Sequence, residues 1–191
     1  RLKPHLSLKN SLSTGYRSPV AFELYANGVH EGTQRYEVGN RNLKQEMSIQ
    51  YDMGMIVERN KIHWEPSLFA NFIQNYVFLQ RFGTLLYIDS GDTLEVFGFN
   101  QTNALLYGAE LMIDWHPKER LHIRNILSFV EGVNLLSSQA LPMIPPPKIV
   151  TDIRYEFKEK SDTQKWIDAY VKVSAELNFE QYRIAFFEEH S

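Results

Sequence analysis

Donors suited to metals and to anionic ligands crowd into residues 26–40, ANGVHEGTQRYEVGN, and their immediate flanks. His30, Glu31 and Glu37 are of types that ligate zinc or iron, but their spacing fits no compact ligand motif, and a histidine satisfied within its own loop is the plainer account. Arg17, Arg35 and Arg41 carry paired N–H donors that fit an anionic chelate. Such arginines also join loop ion pairs. Tyr16, Tyr25 and Tyr36 offer flat faces to a ligand, or to the packing of the loop itself. Arg17, His30, Arg35, Tyr36 and Glu37 are the expected ligand contacts, and no bound metal or cofactor is expected as a resident group.

The other chemical candidates are weaker. Asp89-Ser90-Gly91-Asp92 resembles part of a calcium loop but lacks the spaced oxygens and the closing glutamate, so a turn is expected there. Glu110 and Asp114 share a strand face, yet four residues of strand separate them by about 13 Å, too far for paired-carboxylate glycoside hydrolysis. The run from Leu141 through Pro147 reads as a stiff extended loop rather than a polyproline ligand. No nucleophile, base and orienting group converge, and no enzyme is expected.

The elements that must position these residues are strands. Period-two alternation sets Met47, Ile49, Tyr51, Met53, Met55 and Val57 against Ser48, Gln50, Asp52 and Gly54; it sets Val171, Val173, Ala175, Leu177 and Phe179 against Lys172, Ser174, Glu176 and Asn178. Similar patterns cover 6–13, 105–115 within a strand read as 94–115, 121–130 and 149–157, while 62–78 is more uniformly apolar. Seven strands are expected if 167–188 is one strand with a bulge near Glu180, and eight if the chain turns at 178–181. Connections alternate between long ones at 14–46, 79–93 and 131–148 and short ones at 58–61, 116–120 and about 158–166. An up-and-down meander then has all long loops at one end, as outer-membrane barrels do. Trp64, Trp115 and Trp166 all fall at the short-turn end, where an interfacial girdle belongs. Within the first long loop, Ser18 and Pro19 predict a short helix, stopped by Asn27-Gly28.

The aromatic content is on the high side, as in a strand-rich membrane or sugar-binding surface. The chain has 191 residues, 43% hydrophobic and 13% aromatic, with a net charge of -3 and no cysteine. No basic field exists to hold nucleic acid. Disulfides, thiol nucleophiles and zinc ribbons are excluded. No apolar run reaches the length of a spanning helix, and the first residues lack the pattern of a secretory signal.

The ordered residues Gly15-Tyr16-Arg17-Ser18-Pro19, Glu23-Leu24-Tyr25, Asn27-Gly28-Val29-His30, Tyr36-Glu37-Val38-Gly39-Asn40, and Leu43 with Glu46 resemble the barrel of TonB-dependent outer-membrane receptors. Phe69, Asn71, Ile73 and Asn75-Tyr76-Val77 are similar to another of that family's strands. Ala104, Gly108 and Glu110, and then Leu141-Pro142-Met143-Ile144-Pro145-Pro146, resemble two more of its segments. The resemblance spans residues 6 to about 180. It implies an all-β, antiparallel up-and-down meander, about seven strands of a 22-stranded transmembrane barrel, with 1–191 as a single segment whose plug, earlier strands and last strands lie outside it. It also implies an outer-membrane import receptor for a scarce metal chelate, a ferric siderophore before haem or zinc, partnered by outer-membrane lipid and by the TonB coupling protein through the plug, with no nucleic acid.

On that reading Lys9, Gln50, Asp52, Glu110, Asp114, Arg124, Asp152, Arg154 and Glu176 face a wet lumen and the apolar parity faces lipid, where a charge at mid-depth costs about 2–4 kcal/mol. The rivals are a soluble carbohydrate-binding or adhesion sandwich and a complete eight-stranded barrel. The latter requires 6–13 to pair with the last strand. For the chain alone, an open sheet with two unpaired edges is expected.

Overall fold

The computed structural model describes residues 5–30, 32–87, 93–157 and 169–185. Glu31, Asp89 to Asp92, Trp166 and Phe187 to Ser191 therefore lie outside the described residues. Seven strands form one antiparallel meander: β1 (Leu6–Arg17), β4 (Glu46–Arg59), β5 (Ile62–Tyr87), β6 (Thr93–Lys118), β7 (Leu121–Asn134), β8 (Lys148–Glu156) and β9 (Tyr170–Asn178). The long connection after β1 holds a helix, α1 (Ala21–Tyr25), and a hairpin of β2 (Asn27–His30) and β3 (Arg35–Val38). β3 pairs in parallel with β6 through Tyr36–Val96, Glu37–Phe97 and Val38–Gly98.

Register turns the alternation into two faces. Asp114, Arg124, Asp152 and Ser174 stand side by side across β6 to β9, and Gln50, Asn71 and Leu106 across β4 to β6. The opposite face carries Leu8, Leu12, Ile49, Tyr51, Met53, Leu68, Phe72, Leu127, Ile153 and Val173, all exposed. Among the described residues no second layer covers the methionine side of β4: Met53 is 37% accessible and Ile49 42%. That excludes a sandwich core beneath it. The few polar groups on this face satisfy one another in pairs, Tyr51 donating to Asn10 at 2.8 Å and Thr151 to Asn125 at 2.8 Å, as a surface without water requires.

Trp64 sits opposite Val57 at the short-turn end, and Trp115 opposite Ile62. A tilted strand crosses lipid in about ten residues. Counting up β4 from Val57 puts the other border at Met47, beside the exposed Tyr16. Arg17 and Glu46, paired at the ends of β1 and β4, stand above it.

Several boundaries differ from expectation. The connection placed at 79–93 is largely strand, because β5 and β6 run 26 residues each, about 85 Å of chain at about 3.3 Å per residue. A bulge in β5 between Ile73 and Tyr76 turns on Asn75, whose φ is 56°. The extra residue reverses parity, so inward positions are odd up to Ile73 and even from Tyr76 onward. This reversal, together with the apolar Phe69 and Ile73 on the inward side below it, is why 62–78 showed no clean alternation. The described part of the last strand ends at Asn178, not near 188, and the segment after it returns over the tip of β7, with Arg183 donating to Glu131 at 2.9 Å and to the Ser138 carbonyl at 3.3 Å. The helix N-cap is Val20 rather than Ser18, and Asn27-Gly28 opens β2 instead of stopping the helix. β1 pairs with β4 alone and β9 with β8 alone, so the described sheet is open at both ends and is not a closed eight-stranded barrel.

Candidate functional site

The root of the first long loop is an ion cluster. Arg17 donates Nε and Nη2 to the two oxygens of Glu46 at 2.7 and 2.8 Å, and Nη1 to Glu23 at 2.9 and 3.0 Å. Glu46 also accepts the Val77 amide at 2.6 Å, just above the bulge, and Glu23 accepts the Val20 amide at 2.9 Å. Val20 has no side-chain acceptor, and the capping bond described at this helix start comes from Glu23. One arginine thus binds β1, β4 and α1 together. Its hydrogen bonds to Glu46, against some burial, hold its pKa above the ordinary arginine value. Burial pushes the Glu46 carboxyl up, but the Arg17 donors, the Val77 amide and the Arg17 charge together bring it below the ordinary carboxylate value.

Beyond the root the loop is fixed to the β5–β6 ribbon. Gln101 donates to the carbonyls of Lys44 and Asn75 at 2.6 and 2.9 Å and accepts the Lys44 amide at 2.8 Å; Asn40 donates to the Phe99 carbonyl at 3.2 Å. Phe22 of α1 meets Phe99 edge-on at 5.5 Å. Gly39 lies so close to the backbone of Leu24 to Ala26 that a Cβ would come within 2.5 Å of the Tyr25 nitrogen. Only glycine fits there.

His30, Arg35 and Glu37 share one face of the β2–β3 hairpin, by the pairings His30–Arg35 and Gly28–Glu37. Glu37, 2% exposed, accepts Arg35 Nε at 2.7 Å, and the guanidinium of Arg35 lies 5.0 Å above the Phe97 ring. His30 is exposed, with Nδ1 3.1 Å from Thr33 Oγ1. Tyr36 is on the other face and donates to Asn27 at 2.9 Å. Arg41 stacks over Tyr25 at 5.3 Å. The hairpin therefore gathers four of the five expected residues, while Arg17 stands apart at the root. Among the described residues no group of three His, Asp or Glu is arranged to hold a metal ion.

Sequence reasoning missed a cavity of about 460 Å³ beside this loop, between the upper parts of β5 and β6 and the connection after β7. Gln80, Asn100, Gln101, Thr102, Asn134 and Gln139 line it, a set rich in side-chain amides. Its lip is the proline-rich run, folded back so that the Leu141 amide donates to the Gly132 carbonyl at 2.9 Å, with Leu141 1% exposed. The only signal in the sequence was the polar run Asn100 to Asn103, which breaks the apolar strand.

A family model described as TonB dependent receptor-like, beta-barrel matches residues 1–184. The chain belongs to that family. As a TonB-dependent receptor barrel it also resembles solved structures. "Copper transporter OprC" matches with a TM-score of 0.73 at 20% identity, over 96% of this chain and 25% of that one. The siderophore receptor PirA from Acinetobacter baumannii matches at 0.58 and 16% identity, over 83% and 26%. The ferric enterobactin receptor PfeA from Pseudomonas aeruginosa, in complex with enterobactin, matches at 0.59 and 17% identity, over 81% and 24%. These likenesses are of fold, and the chain spans about a quarter of the length of each. In this TonB-dependent receptor segment the candidate hairpin and the amide-lined cavity lie at the same end of the wall, the end of the long connections.

Proposed function

We propose that residues 1–191 form a segment of the barrel of a bacterial outer-membrane receptor that binds a scarce metal chelate and imports it under TonB drive, with a ferric siderophore as cargo. The observation that carries this reading is the family match over a wall with one apolar face and one charged face, topped by a rigidly held loop with arginine and aromatic groups. Siderophore receptors stand among the structural relatives, and a copper transporter does too. The chelate is favoured over a bare ion by the donors: Arg35 and His30 on one face of the hairpin offer charge and hydrogen bonds suited to an anionic organic shell, and Tyr36 offers a flat ring on the other face. Glu37 orients Arg35, and Arg17 serves by holding α1 and the loop root in place. The partners follow from the family: the coupling protein inside and lipid around the wall.

The test is uptake of radiolabelled ferric siderophores and of copper by cells under metal limitation, with and without the gene. Loss of uptake of one ferric siderophore, with copper uptake unchanged, is expected. Arg35→Ala and Tyr36→Ala should each weaken binding of that siderophore about tenfold or more, roughly 1.4 kcal/mol. Unchanged uptake of every ferric siderophore tried would remove the proposal, and loss of copper uptake alone would replace it.

A further inference from the structure

The amide-lined cavity beside the first long loop opens on the aqueous face. Inward positions are even from Tyr76 onward, so Phe78 and Gln80 on β5 face inward with their partners Asn100 and Gly98 on β6. At about 460 Å³ the cavity has the size that takes a small organic ligand. Its lip is stiff. In the connection after β7, Ser138 and Met143 both hold a left-handed backbone with φ 59°, a shape that costs energy in any residue but glycine. Leu136 on the same lip is 79% exposed, and on an aqueous face lipid does not account for that exposure.

Hydrogen bonds within the cavity decide which ends of its amides remain. Asn100 Nδ2 donates to Gln80 Oε1 at 2.8 Å. Asn134 Oδ1 accepts Thr102 Oγ1 at 2.6 Å and the amides of Leu136 and Ser137 at 3.0 and 3.3 Å. Gln101 is spent at both ends on Lys44 and Asn75. The oxygens of Gln80 and Asn134 are therefore engaged, and their NH2 groups, with no hydrogen-bond partner among the described residues, are left to the cavity. The Gln139 side chain adds a third amide. The cation at the cavity, Arg81, is paired with Glu95. Neutral N–H donors thus stand beside the apolar Phe78, Leu136 and Pro142, with no spare positive charge among the described residues.

We infer, on the basis of the cargo proposed above, that this cavity binds the carbonyl oxygens of an uncharged chelate of hydroxamate or amide type, with the Gln80 and Asn134 side chains donating to those oxygens and Leu136 covering the apolar chain between them. Carbonyl oxygens accept and do not donate, which matches a site whose own oxygens are engaged. A sugar's hydroxyls also donate, and would lack acceptors here. Charge points the same way: three hydroxamates neutralise a ferric ion, whereas three catecholates leave an excess of negative charge that the paired Arg81 does not meet.

The experiment is calorimetric titration of the detergent-purified receptor with a ferric trihydroxamate and, separately, with a ferric tricatecholate. Saturable binding of the trihydroxamate with Kd below about 10 μM, tighter than that of the tricatecholate, is expected. Gln80→Glu keeps the oxygen that Asn100 bonds but replaces the N–H donors with a charged oxygen. It should weaken trihydroxamate binding about a hundredfold, against about tenfold for Gln80→Ala and for Gln139→Ala. A side chain that only filled space would rank the two Gln80 variants the other way. Heat-modifiable gel mobility checks that each variant is folded. Tighter binding of the tricatecholate, or unchanged trihydroxamate binding by folded Gln80→Glu, overturns the inference and leaves the cargo reading standing. If neither ferric chelate binds, the cargo reading falls and this site falls with it.

Discussion

Glu46 is where the sequence motif around Arg17 becomes mechanical. It bridges a side chain from β1 and an amide from β5, and so sets the root of the loop. Its carboxyl ionises below the ordinary value when folded. The associated stability is therefore complete above the unfolded value of 4.5 and is lost as pH falls through the folded value. Acidification below about pH 4.5 should speed hydrogen exchange in residues 18–45 before it affects β5 to β7. Glu46→Gln should loosen the same residues at neutral pH and cost about 1–2 kcal/mol, since Arg17 retains Glu23 and partial exposure. A second expectation at this scale concerns Gly39: replacement by Ala should disorder the hairpin, read as loss of protease protection between α1 and β3. The types and spacing of residues 15–46 exposed their importance, but not their division of labour. Arg17 read as a ligand cation because sequence spacing cannot show that Glu23 and Glu46, 6 and 29 positions away, converge on it.

The strands were legible wherever one face met lipid and the other water, because each residue then has only one tolerable parity. β1, β4 and β9 are the clearest cases. Legibility failed where that constraint lapses. Above the lipid border neither face needs to be apolar, so the upper end of β5 from residue 79 read as a loop; at Asn75 the bulge exchanged the faces midway along a strand. Asn75 accepts this backbone shape and donates its amide to the Gln45 carbonyl at 3.1 Å. Asn75→Val should cost about 1–3 kcal/mol, measured as a lowered urea midpoint for folding into lipid, while Asn75→Gly should cost less. Gly108 makes an independent check on the β6–β7 ladder. A Cβ there would stand 2.3 Å from the Phe129 carbonyl oxygen and 2.6 Å from the Phe69 ring, so Gly108→Val should slow or block insertion.

For the molecule as a whole, the division into a hydrocarbon face and an aqueous face makes a quantitative claim. Met53, near mid-depth on the outer face, and Gln50, three residues away on the inner face, can receive the same charge in different solvents. Met53→Arg should lower bilayer folding stability by about 2–4 kcal/mol, and Gln50→Arg by well under half of that. Equal penalties at both positions would mean that the faces are not so divided. The 26-residue ribbon of β5 and β6 outlasts the lipid-crossing strands on either side of it: β4 gives out at Glu46, level with the bulge, and β7 at Asn134. A molecule arriving from the long-loop side meets the summit of this mast first and the β2–β3 hairpin in its lee afterwards. A tag or antibody epitope set at the summit should therefore report surface display without touching His30, Arg35 and Tyr36 below.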